Sequence, residues 1–104
     1  EICEDLYFFS LDFVASQGLA DCFMGKNQQA GFVGHGVGLV INELPVLAPK
    51  MKDILEAGMV LAIEPKFVVE GVGAVGIENT FVVGKNQGEK ISLLEEEIID
   101  LTNL

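Results

Sequence analysis

An α+β domain is what this sequence predicts, with one long helix and a curved, mainly antiparallel sheet of about four to six strands. Two observations carry the prediction. Apolar residues recur at intervals of three and four over the first 17 positions, the spacing of one helix face. From residue 59 onward the chain turns to short Val- and Ile-rich runs broken by Gly, Pro and Asn, the pattern of strands and turns. A chain of 104 residues makes one domain at most and buries about 65% of its unfolded surface, enough for a modest core.

Along the first segment, Ile2, Leu6, Phe9 and Phe13 form one stripe and Cys3, Tyr7, Ser10 and Val14 an adjoining one. Residues 1–17 therefore read as an amphipathic helix stopped by Gly18, with the aromatic stripe expected to pack against the sheet. Residues 19–24 read as a further helical turn capped by Gly25, and Lys26-Asn27-Gln28-Gln29 as a polar loop. Residues 39–43 are expected to run extended as far as Pro45, after which Pro45 and Pro49 keep the chain irregular. Residues 50–57 make at most a short helix ended by Gly58. Residues 59–64 and 66–69 read as strands broken by Pro65, 70–73 as a turn and 74–83 as one long strand. Alternation along that strand puts Gly76, Glu78 and Thr80 on one face and Val75, Ile77 and Asn79 on the other. Residues 84–89 form a second turn and 90–93 a last strand, and the Glu95-Glu96-Glu97 run reads as a solvated face.

Composition narrows the function classes. A net charge of −10, with no Lys/Arg cluster to offset it, argues against nucleic acid as a partner. Such acidity suits a divalent-metal protein and equally suits solubility alone. No apolar run approaches the roughly 20 residues a membrane span needs, and none has a signal-peptide layout, so a cytoplasmic setting is expected. Cys3 and Cys22 show no C-x-x-C spacing and read as free thiols, buried or half-buried. Half the residues are hydrophobic, a high share for so short a chain; if part of the fold lies outside it, the surface facing that part is exposed, which predicts self-association.

The candidate chemistry centres on Gly31-Phe32-Val33-Gly34-His35-Gly36-Val37-Gly38-Leu39, where the only histidine stands between two glycines. Glycines remove crowding Cβ atoms, so a metal or substrate can approach the imidazole closely. A solitary His among hydrophobes is also compatible with a hydrogen-bonded core residue. Glu64 and Glu78 are lone charges within apolar, strand-like runs, and a buried carboxylate needs a partner or a cation. One histidine and two glutamates on three separate segments make an oxygen-rich, one-nitrogen metal site, unless either Glu points to solvent. Neither G-x-G-x-x-G nor a Walker loop fits the glycine-rich stretch, so nucleotide binding is not expected.

The succession Gly34-His35-Gly36-Val37-Gly38-Leu39, Leu55-Glu56-Ala57-Gly58-Met59-Val60, Ile63-Glu64-Pro65 and Gly76-Ile77-Glu78-Asn79-Thr80 resembles the M24 peptidases. This group comprises methionine aminopeptidase, Xaa-Pro dipeptidase (prolidase), aminopeptidase P and creatinase. The Xaa-Pro dipeptidase branch looks most similar, from Glu43-Leu44-Pro45 after the loop and Glu64-Pro65-Lys66-Phe67 after the strand. The resemblance spans about residues 1–99 in the order of the family's C-terminal region. It implies the C-terminal half of a pita-bread fold, so residues 1–104 would be a partial catalytic domain lacking two aspartate ligands that precede it in the family.

By the same resemblance, His35, Glu64 and Glu78 hold metal, Glu64 and His35 carry catalytic roles, and Gly36 and Asn42 face the substrate. Two divalent ions (Mn, Co, Zn or Fe) serve the intact family site, and the substrate is a peptide or dipeptide. Asn42 stands where many members have a second histidine; an amide donates a hydrogen bond but does not shuttle a proton. The resemblance thus implies a piece of a metal-dependent peptidase that is inactive in isolation. A non-catalytic peptide-binding or assembly module and a creatinase-type hydrolase remain as alternatives.

Overall fold

The computed structural model describes residues 1–102 of the 104. Helix α1 (Cys3–Ser16) and a short 3₁₀ helix (Ala20–Cys22) lead into seven strands: β1 (Gly34–Gly36), β2 (Glu43–Leu47), β3 (Val60–Ile63), β4 (Lys66–Val69), β5 (Gly73–Gly76), β6 (Asn79–Val83) and β7 (Gly88–Lys90). Five strands form one sheet in the order β2-β1-β3-β6-β7, and β4 and β5 form a separate hairpin. Every pairing is antiparallel, as the short turns between runs require. No described helix is long and apolar enough to cross a membrane.

Helix α1 ends as expected, with Gly18 in the left-handed region (φ +74°), where a side chain would be strained. Its buried face is not the expected one. Cys3, Tyr7 and Val14 are buried, whereas Phe9 and Phe13 are 69% and 60% exposed. Both stripes are apolar enough to pack, and the choice falls to the one facing Phe23, Met24, Val33 and Leu47, which complete the core. Burial pushes the Cys3 thiol above its ordinary value. Both cysteines are free.

Residues 50–57 contain no helix. Glu4 accepts the Lys50 N–H at 2.6 Å and pairs with the Lys52 ammonium, while Ile54 bridges to Ile2, so the segment lies extended along the start of α1. Residues 39–42 form bends rather than extended chain, and Pro45 sits within β2 instead of breaking it. The final strand is Gly88–Lys90, earlier than expected.

The largest departure concerns the long strand expected over residues 74–83. It is two strands in two sheets, with β5 ending at Gly76, β6 beginning at Asn79, and Ile77 and Glu78 in the break. The Ile77 N–H turns to the carbonyl of Pro65 at 3.2 Å, and β6 then pairs with β3. Apolar alternation runs unbroken through the segment, so only tertiary pairing reveals the break.

Candidate metal centre

Strand register assembles the site. His35 on β1 lies opposite Ala62 on β3, and Ala62 lies opposite Thr80 on β6, so these three share one row and one face. Side chains two residues apart point the same way. Glu64 is two beyond Ala62 and Glu78 two before Thr80, which carries both carboxylates to the face of His35. One ligating atom from each of His35, Glu64 and Glu78 lies within 4.8 Å of the others. The opposite face presents Leu61, Ile63, Phe81 and Val83 toward Leu6 and Leu55.

The glycines beside His35 have a packing reason that the sequence did not show. A Cβ on Gly34 would stand 2.7 Å from the Ala62 carbonyl oxygen and 3.1 Å from Leu47 Cδ1, and one on Gly36 would stand 2.5 Å from the Leu44 carbonyl oxygen. They let β1 fit between β2 and β3, so the strand packing by itself requires them.

His35 is the one buried polar residue among those described, 6% exposed, and it is fully engaged. Its Nδ1 lies 3.0 Å from the Gly36 carbonyl oxygen, which only accepts, so Nδ1 carries the proton and donates. Nε2 is thereby turned toward Glu64 Oε2 at 3.0 Å. A backbone carbonyl that fixes the ring and its tautomer is the usual support of a metal-ligating imidazole. The Nε2 position opposite a carboxylate is filled equally by a proton, giving an ion pair, or by a cation. Exposure grades from the histidine outward: the side chains of His35 and Glu64 are 8% and 27% exposed, and Glu78 is exposed. Glu64 and Glu78 line one open cleft with Pro65, Lys66, Gly76 and Ile77.

The Glu78 carboxyl is held above the ordinary carboxylate range, chiefly by its hydrogen bond with Glu64, then by desolvation and the Glu64 charge, with His35 opposing the shift. The folded chain therefore keeps a proton that the unfolded chain releases. That contribution to stability is present below the ordinary value of 4.5 and is lost as pH rises through the raised folded value. A cation displaces this proton, so Mn²⁺ affinity is expected to climb with pH through the raised Glu78 value and level off above it. Calorimetric titration in buffers of different ionisation enthalpy measures the released proton; an affinity that does not rise as pH climbs above the ordinary carboxylate value would count against a shared site.

One imidazole nitrogen and two carboxylates fit a divalent ion such as Mn, Co, Zn or Fe and do not discriminate among them. The other expected site residues lie at the margin. Gly36 adjoins His35 and contributes its carbonyl, while Asn42 is solvent-exposed in the loop before β2. Sequence reasoning missed the role of the Gly36 carbonyl, for which a backbone acceptor leaves no signal in residue type.

The family model described as metallopeptidase family M24 matches residues 2–85, most of the chain. The chain belongs to metallopeptidase family M24. The Xaa-Pro dipeptidase of Pyrococcus horikoshii is 37% identical over 67 residues, covering 64% of this chain and 19% of that protein. The Xaa-Pro dipeptidase of Pyrococcus furiosus is 29% identical over 96 residues, 92% of this chain and 26% of that protein. Among solved structures, the Xaa-Pro dipeptidase from Bacillus anthracis aligns with a TM-score of 0.80 at 29% identity, covering 95% of this chain and 26% of that one. This M24 chain is thus prolidase-like in sequence and fold, in keeping with the expected part of a pita-bread architecture. It spans about a quarter or less of the length of these relatives.

Proposed function

We propose that His35, Glu64 and Glu78 form part of the catalytic metal centre of a peptidase that cleaves Xaa-Pro dipeptides or the N-terminal residues of peptides. The observation that carries this reading is the convergence, on one sheet face, of an imidazole nitrogen oriented by a backbone carbonyl and two carboxylates within 4.8 Å. A bound divalent ion supplies Lewis-acid polarisation of the scissile carbonyl. His35, through Nε2, and Glu78 would hold the metal. Glu64, reachable from the cleft, also carries a proton to the leaving amine.

Two carboxylates bring a charge of about −2 against the +4 of two dications, so groups beyond these three residues complete the site. These 104 residues alone are therefore expected to show little or no peptidase activity. In the whole protein, to which we assign the chain as one part, Glu78→Gln lowers Xaa-Pro dipeptide hydrolysis by more than about 100-fold, beyond the usual loss from a supporting residue. Normal hydrolysis by that variant would sink the reading. Asn42, an exposed amide where many members carry an imidazole, favours a second reading, a peptide-binding module without hydrolysis. That reading predicts peptide affinity with no turnover in the whole protein.

A further inference from the structure

Ile77 and Glu78 belong to neither β5 nor β6, so the backbone carrying this carboxylate lies outside the sheet ladder. The Pro65 carbonyl takes the Ile77 N–H on one side. On the other, a side-chain network closes on the residue after Glu78. Ser92 Oγ donates to Asn79 Oδ1 at 2.8 Å and accepts the Thr80 N–H at 3.0 Å. Asn79 Nδ2 donates to Glu96 Oε1 at 3.1 Å, and Lys90 Nζ donates to the same oxygen at 2.6 Å. The Ile91 N–H donates to the Thr80 carbonyl at 2.8 Å, laying the segment after β7 alongside the start of β6.

Both ends of the Asn79 amide are thus occupied, and it turns only by breaking a bond at each. Asn79, Thr80 and Ser92 are half-buried, where hydrogen bonds are less exposed to competition from water. The Lys90–Glu96 ion pair at the outer end is exposed and adds little to global stability. The acidic run lies on the solvated surface as expected, and Glu96 holds Asn79 from there.

We propose that Asn79, Ser92 and Glu96 are positioning residues for Glu78: the segment beyond β7 is a strap that fixes the backbone from which this carboxylate meets His35 and Glu64. The inference rests on the metal-centre reading above. A ligand on a loose backbone must be ordered as the ion binds, whereas a strapped one is ordered beforehand, so the strap acts on affinity and ligand geometry.

Co²⁺ titration of the chain, followed by visible absorption, reads both properties. Ser92→Ala and Glu96→Ala are each expected to weaken Co²⁺ binding by about 10- to 100-fold and to alter the ligand-field spectrum, the usual loss for a residue supporting a ligand. The melting temperature of the metal-free chain should stay within a few degrees of wild type, and Ser92→Thr, which keeps the hydroxyl, should restore binding. Wild-type affinity and spectrum in both alanine variants would overturn the strap, as would losses that simply track a fall in metal-free stability. In either case a wild-type chain that binds Co²⁺ and loses it with His35→Ala leaves the metal centre standing. A wild-type chain that binds no Co²⁺ overturns the strap as a support for binding by these residues, whereas the metal centre of the whole protein is judged separately by the Glu78→Gln hydrolysis assay.

Discussion

His35→Ala is expected to abolish divalent-metal binding by this chain, lowering affinity by more than the 10- to 100-fold typical of a lost supporting residue. Equilibrium dialysis against Mn²⁺ measures it. The effect should be large because His35 is the only nitrogen donor in the cluster, and because its ring is held by Gly36 at a position no neighbouring side chain reproduces. The Glu78 carboxyl, held up chiefly by its hydrogen bond with Glu64, then has only carboxylate oxygens beside it, and without the imidazole the two form an ordinary acidic pair. The fold should survive, since removing a side chain from β1 introduces no clash where the strand is tightest. About two ions bound per wild-type chain would mean that a partner chain or other groups supply the further ligands. Retained binding in His35→Ala would remove this residue from the site.

Leu47→Ala carries the largest expected loss of stability, about 2–5 kcal/mol for truncating a buried leucine. Leu47 is 1% exposed and fills the space above Gly34 on the neighbouring strand. At roughly 4–8 °C per kcal/mol for a domain of this size, the midpoint of thermal denaturation should fall by about 10 °C or more. Leu93→Ala is the matched control: at 93% exposure it should change stability by no more than about 0.5 kcal/mol. Equal losses from the two substitutions would show that the core is not organised around Leu47.

The parts of the molecule legible in its sequence were those with local causes. The end of α1 follows from Gly18, the β-rich second half from its Val/Ile runs, and the cluster of His35, Glu64 and Glu78 was sought among polar residues isolated in apolar runs. Parity along a single strand predicted Glu78 and Thr80 on the same face; the register puts Thr80 in a row with Ala62 and His35, while Glu78, in the break before β6, comes near His35 outside that register. What could not be read depends on partners distant in sequence. Which stripe of α1 is buried is decided by the position of Leu47 and Phe23, and the division of residues 74–83 by the Pro65 carbonyl and the edge of β3. Ser92 and Glu96 looked like ordinary surface residues because their partner, Asn79, lies 13 and 17 positions upstream.

The row His35, Ala62 and Thr80 makes the site sensitive to chain length. Glu64 and Glu78 each stand two residues from that row, just past the end of β3 and just before the start of β6. A substitution on the outer face of β3 or β6 leaves this count intact, but inserting or deleting one residue between Ala62 and Glu64, or between Glu78 and Thr80, turns a carboxylate to the opposite face. A single-residue length change there is therefore expected to cost the cluster, whereas a conservative change of a side chain facing away from it is not.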